Sequence, residues 1–269
     1  MARRWTITEE DFYRSELYEL YSIQNKTIKE IAPLIGIKEK SVYDRLVRLE
    51  IPVAPERKQK YCNQRTDVHI PEHSPDLAEF IGIMLGDGCL THYQTMVTLG
   101  TKEFAYVKYV QSLMQKLFLV PATIMTSKHS GYHVVYIGST KITSWLQDMG
   151  LVFNKVAAQV DVPTWITTND EYMTRFIRGF FDTDGSIYKL RFGVQISLTN
   201  HSLPLLHASQ TMLKSLGYKP SAVSASRVYV TRRNEVQRFF REVAPKNLKH
   251  QVRFEEFMRR SDSGYSRRL

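Results

Sequence analysis

The chain carries the same ending twice, once in each half. Phe80-Ile-Gly82-Ile-Met-Leu-Gly86-Asp87-Gly88 is answered by Ile177-Arg-Gly179-Phe-Phe-Asp182-Thr183-Asp184-Gly185. The segments downstream of the two copies keep step as well. Leu117 to Ala122 is matched by Leu216 to Ser221, the strand-like Tyr132 to Ile137 by Arg227 to Val230, and the helical Ile142 to Met149 by Val236 to Val243. Four correspondences in one order are an internal repeat, and a duplicated unit predicts a pseudo-two-fold domain that does in one chain what a homodimer would do. Each unit reads as helix, strand pair, helix, strand pair, helix. From Arg191 to Leu198 the residues Phe192, Val194, Ile196 and Leu198 alternate with Arg191, Gly193, Gln195 and Ser197, as in a sheet with one apolar and one polar face.

The first motif helix is expected to start at Ser74-Pro75, and the second at a capping box made by Thr168 and Glu171. Both end at Asp-Gly. A left-handed position past the last turn explains the glycine. The aspartate is harder to explain, because the negative end of the helix dipole disfavours an anion by ~0.3–1 kcal/mol. Glycine within a helix also costs ~1 kcal/mol relative to alanine. Gly82 with Gly86, and Gly179 with Thr183, put small residues on one face of each helix, which predicts close approach of the two helices with Asp87 and Asp184 side by side. Two adjacent carboxylates call for a cation, and hard oxygen donors select Mg²⁺. Asp182, one turn away, reads as a helix-end or interface residue rather than a ligand.

Residues 1–55 read as a small all-α unit. Thr27 and Glu30 form a capping box, Gly36 supplies a turn, and Ser41 to Leu49 forms a second helix burying Val42, Leu46 and Leu49. The spacing of Ala32, Gly36 and Val42 fits a helix-turn-helix presenting Lys40, Ser41, Tyr43, Asp44, Arg45 and Arg48, while Pro33 should kink or shorten the first helix. Residues 56–71 form a basic linker, residues 72–160 and 161–260 the two repeats, and 261–269 a basic tail expected to be disordered. The 37 Lys and Arg against 27 Asp and Glu give a net charge of +10, which points to a polyanionic partner. Residues 227–269 alone hold twelve basic and five acidic side chains. Two cysteines, Cys62 and Cys89, make no disulfide framework and suit an intracellular, reducing compartment. No apolar run has the length of a membrane span.

The two motifs resemble the LAGLIDADG signature of homing endonucleases, over roughly residues 72–260. Gly179-Phe-Phe-Asp182-Thr-Asp184-Gly185 is the closer copy; the first departs where Leu85 replaces an aspartate but keeps Asp87. The resemblance implies an α+β fold of two pseudo-symmetric αββαββα repeats forming a saddle-shaped DNA-binding surface, here preceded by the helix-turn-helix. It implies a monomer that makes a staggered double-strand break in a long DNA site by metal-dependent phosphodiester hydrolysis. Asp87 and Asp184, with Gly86 and Thr183 beside them, would hold Mg²⁺ or another divalent cation such as Mn²⁺, with Ca²⁺ binding without supporting catalysis. A basic residue per active site is expected in the family: Lys155 in the first repeat, and in the second Lys249, with Lys246 a competitor. Asn200 could orient water.

Base reading should fall on outward strand positions. The candidates are Arg191, Gln195, Arg227 and Tyr229 in repeat two, with Lys189, Arg232 and Arg233 as further DNA contacts. In repeat one they are Thr91, Tyr93, Lys128, His129 and Tyr132. Other classes on the same scaffold are a non-catalytic DNA-binding regulator, which should have eroded acidic positions, and a maturase acting on intron RNA. An intein is disfavoured by the absence of splicing-type Cys or Ser termini.

Overall fold

The computed structural model describes residues 6–53, 65, 67–127, 131–191 and 193–263. Two compact units emerge, Met1–Cys62 and Asn63–Leu269. In the first, α1 (Ile7–Tyr18) starts at a capping box of Thr6 and Glu9 and runs into a π-helical segment, Glu19–Ile23. The Thr27–Glu30 capping box opens α2 (Ile28–Ile35), with Pro33 accommodated inside it, and Gly36 ends it in the left-handed region at φ 72°. Next comes α3 (Glu39–Arg48). Leu17, Tyr21, Ile31, Val42, Leu46 and Leu49 form this unit's own core.

The second unit is α+β with two antiparallel sheets. Its first half runs α4 (Pro75–Leu85), β1 (Gly88–Leu90), β2 (Gln94–Gly100), α5 (Phe104–Phe118), β3 (Thr123–Ser127), β4 (Tyr132–Gly138) and α6 (Thr140–Asp148). Its strands form sheet A in the order β1-β2-β4-β3. The second half runs α7 (Asp170–Asp184), β5 (Gly185–Leu190), β6 (Gly193–Thr199), α8 (Leu203–Ser215), β7 (Arg227–Val230), α9 (Arg233–Glu242) and α10 (Leu248–Ser263). Sheet B has the order β5-β6-β7.

The second half therefore departs from the expected second strand pair. The arm leading into β7 holds only an isolated bridge, Ser224 to Arg227, and a bond from the Ser221 amide to the Tyr229 carbonyl (2.8 Å). Ala225 and Ser226, at left-handed φ values of 47° and 59°, make a tight two-residue turn, and Pro220, which has no amide proton, limits the ladder on the arm before it.

Helix α4 is buried on every side from Leu77 to Leu85, so it is a core element rather than a surface one. It packs on α7. A Cβ on Gly82 would stand 2.3 Å from the Phe176 carbonyl oxygen, and one on Gly179 would stand 2.1 Å from the Glu79 carbonyl oxygen. The missing side chains are thus what allow the two backbones to touch. The one charge on the buried face, Glu79, is met by Arg175 Nε at 3.1 Å, Arg178 Nη1 at 3.4 Å and the Tyr109 hydroxyl. An unmatched carboxylate there would be strongly destabilising.

Two local expectations are corrected. The N-cap of α7 is Asn169, whose Oδ1 accepts the amides of Glu171 and Tyr172, while Thr168 closes the preceding 3-10 turn on Trp165. Asparagine caps as well as threonine, and it moves the helix start by one residue. Gly88 and Gly185 are not left-handed. They serve close approach: a Cβ would meet Met84 Cα at 2.4 Å in one and the Phe181 carbonyl oxygen at 2.2 Å in the other.

Candidate active site

Helices α4 and α7 end together. Asp87 follows the α4 C-cap, Gly86, and Asp184 is the last residue of α7; each leads directly into the first strand of its sheet. A Cβ on Gly86 would fall 2.0 Å from Thr183 Oγ1 and 3.5 Å from Asp184 Cγ, so the absence of a side chain at Gly86 opens the junction to the second carboxylate. The Thr183 hydroxyl turns back onto the carbonyls of Gly179 and Phe180 at 3.1 Å each.

Burial pushes the Asp87 carboxyl above its ordinary range, against the pull of Lys249 and Lys155. Asp184 is pushed to about 6 by burial, with the charge of Asp87 adding to the rise and the Asn200 hydrogen bond opposing it. Asn200 Nδ2 donates to Asp184 Oδ2 at 2.6 Å, while its Oδ1 takes the Ser202 amide at 2.8 Å, fixing the amide orientation. Two neighbouring carboxylates are oxygen donors of the kind a small dication takes, and among the described residues no third His, Cys, Asp or Glu joins them.

Lys155 and Lys249 both reach this point, by different means. Lys155 Nζ donates to the Met84 carbonyl at 3.0 Å and to the Gly86 carbonyl. Burial lowers its pKa, and Asp184 and Asp87 oppose the fall. Lys249 Nζ is held by Glu103 Oε1 at 3.1 Å. Sequence reasoning passed over the residues that place it. Asn247 Nδ2 bridges Glu103 Oε2 (2.9 Å) and the Asp182 carbonyl (3.2 Å), and the buried Asp182 carboxylate accepts the amides of Lys246 (2.8 Å) and Asn247 (3.0 Å). Burial raises Asp182 to about 7 even so. The Lys246 side chain is exposed. Glu103 follows β2 much as Asn200 follows β6, so aligning the repeats past their strand pairs would have drawn attention to it.

Residues 171–244 match the family model described as a LAGLIDADG-like domain. The likeness to that family thus lies in the second half of the chain, from α7 to the end of α9. Among relatives, 148 residues are 28% identical to the replication factor C small subunit of Methanocaldococcus jannaschii, covering 55% of this chain and 7% of that protein. An uncharacterized protein of the same organism is 27% identical over 195 residues, covering 70% of this chain and 72% of the other. Two solved structures are similar at a TM-score of 0.46 and 16% identity. The N-terminal LAGLIDADG domain of DUF199/WhiA covers 65% of this chain and 86% of its own. I-DmoI in complex with DNA and Mn covers 63% and 96%.

Within the LAGLIDADG-like domain, antiparallel register sorts the candidate DNA contacts. Tyr188 opposes Gln195, Ser197 opposes Tyr229 and Thr199 opposes Arg227, and these share the face away from the buried Ile187, Val194, Ile196 and Leu198. Lys189 opposes the buried Val194 and so belongs to the other face, although its side chain is exposed. Tyr188, unremarked in the sequence, takes the outward position. Its phenol is drawn below its ordinary pKa by the Ser186 hydroxyl, against burial, with Ser197, Arg227 and Arg253 adding to the fall. Arg191 lies in the β5–β6 turn, Arg232 caps α9, and Arg233 begins that helix.

In the first half Thr91 Oγ1 accepts the Tyr93 and Gln94 amides, bracing the β1–β2 turn, and Tyr93 is exposed at its tip. Tyr132 lies on the outward face opposite Ser127. Lys128 and His129 lie outside the described residues. In α3, Lys40 and Tyr43 are exposed, Ser41 is half-buried, and Arg48 pairs with Glu10. Arg45 is not presented: it is 8% exposed and packs on the core face between Val42 and Leu46. One helical turn puts positions 42, 45 and 46 on the same side.

No helix among the described residues is long and apolar enough to cross a membrane.

Proposed function

We propose that this chain is a divalent-metal-dependent DNA endonuclease that makes a staggered double-strand break in a long, specific site. The observation carrying this reading is the junction of Asp87 and Asp184, opened by glycines at a helix interface and standing at the root of both sheets. The carboxylates of Asp87 and Asp184 would hold Mg²⁺ or Mn²⁺, with the backbone oxygen of Thr183 beside them, and the Gly86 oxygen would join only if Lys155 released it. When bound, the ion would polarise the phosphate and lower the pKa of water. Asn200 holds Asp184 in a fixed rotamer. Lys155 and Lys249 supply fixed positive charge where the phosphorane and leaving oxygen would accumulate negative charge. Arg227, Gln195, Tyr188 and Tyr229 face the major groove; Arg232 and Arg233 meet phosphate. Lys40, Ser41, Tyr43 and Arg48 of the N-terminal unit serve a separate helix-turn-helix contact.

The replication factor C small subunit shares a stretch that makes up 7% of its length, so that protein's named activity does not transfer to this chain. A module found as a small part of a much larger protein carries its own chemistry, as an endonuclease would.

The test incubates purified protein with a randomised duplex library and Mg²⁺ and sequences the ends. Discrete cuts at one sequence, lost in Asp184→Asn and on adding EDTA, support the reading. Salt-sensitive binding of a defined site that is never cut refutes it in favour of a regulator.

A further inference from the structure

The outward faces of the two sheets differ in chemistry. In sheet A the register places Cys89, Met96, Tyr136 and Thr123 in one row across all four strands, with Thr98, Val134 and Met125 in the next, and Gln94, Tyr132 and Ser127 on the same face. Among the described residues this face carries no Lys, Arg, Asp or Glu. Met125 is 51% exposed, and Cys89 and Thr123 are exposed as well. A strand face turned away from the core would ordinarily be polar. Sheet B differs in carrying a charge, Arg227, on its outward face.

We infer that sheet A reads a thymine-rich half-site by packing Met96, Met125 and Tyr136 against the 5-methyl groups in the major groove. The inference rests on the endonuclease reading of the same surface and adds the class of base that one half of the site contains. Three considerations favour it. The face is continuous with the metal junction, because β1 begins at the residue after Asp87. In the major groove thymine alone presents a methyl group, and apolar side chains are its partners. Methionine, unbranched and polarisable, adapts to a row of methyls without demanding a hydrogen bond. Sheet B differs by Arg227, since arginine is the match for guanine.

The experiment uses the full chain. A bound site is selected from a randomised duplex library, and the half beneath sheet A is identified by photocrosslinking from a label on Cys89 in a Cys62→Ser background. Deoxyuridine then replaces thymidine in that half, which removes only the methyl. The expected result is a thymine-rich half-site in which each replacement weakens binding ~4-fold, the equilibrium factor for one buried methyl-sized group. The same replacement in the other half should leave affinity unchanged. Met125→Ala should abolish the uracil penalty at one position while leaving the circular dichroism spectrum unchanged. A selected half-site rich in G·C, or one that tolerates uracil throughout, overturns the inference and leaves the endonuclease reading intact. Failure to select any sequence overturns both. A dimer dissolved by Met125→Glu overturns the inference by assigning the face to a second copy.

Discussion

The two halves of the second unit agree at the helix interface and part company beyond it. Gly82 and Gly179 bring the α4 and α7 backbones into contact, and a side chain at either position would have to displace main chain. Past the carboxylates, Lys155 is held by two carbonyls and Lys249 by a carboxylate. Sheet A has four strands and, among the described residues, an uncharged outward face, whereas sheet B has three and displays Arg227. A duplication preserves what packing dictates, since two backbones in contact leave no room for drift. It diverges where the contact is with a target whose two halves need not match.

The largest effect expected from disturbing the shared part is on stability. Gly179→Val should cost about 3 kcal/mol or more, because overpacking against backbone cannot be relieved by a rotamer change. Gly193→Ala meets open space and should stay within about 0.5 kcal/mol. Urea denaturation of both variants checks this; equal effects would break the argument that the interface is what constrains the repeat.

Next come the divergent lysines. Lys155→Met and Lys249→Met should each slow cleavage on the order of 10²-fold, the scale of losing one charge-stabilising donor. The losses should fall on opposite strands, so that each variant nicks a supercoiled plasmid. Glu103→Gln should act only on the strand that depends on Lys249, by roughly tenfold, since a neutral amide still bonds the ammonium but holds it less firmly. Slowing of both strands together would mean that the lysines serve one shared centre.

A smaller difference is visible in pH dependence. His250 is fully buried against Phe181, and burial lowers its pKa to about 3. The unfolded chain takes up its proton near pH 6.5 and the folded chain does not. The stability carried by the neutral ring is therefore complete above 6.5 and is lost as the pH falls toward 3, at up to about 1.4 kcal/mol per unit. Asp182, raised to about 7, slopes the other way. The informative quantity is the difference between wild type and His250→Phe, which should shrink the acid loss. An unchanged acid limb would contradict the assignment.

What the sequence made legible is what local physics controls. The Thr27–Glu30 box, the Ser74 cap with Pro75 and the close approach at Gly82 and Gly179 follow from short-range spacing. The misses share a different cause. Arg45 looked like a presented side chain because arginine is usually exposed, yet helical phase put it on the packed face. The arm before β7 looked like a strand by analogy with the first repeat, but Pro220, without an amide proton, limits the ladder there. Glu103 and Asn247 meet only in three dimensions, across more than half the chain, so no spacing rule could pair them.

The central claim is that Asp87 and Asp184 act as one site. A double-mutant cycle on cleavage of a selected duplex tests it directly, comparing Asp87→Asn, Asp184→Asn and the double variant in Mg²⁺. The account predicts that each single change loses nearly all cleavage and that the double change loses little more, because groups acting as a unit are non-additive. Losses that simply multiply, or a single variant that cuts at the wild-type rate, would contradict it.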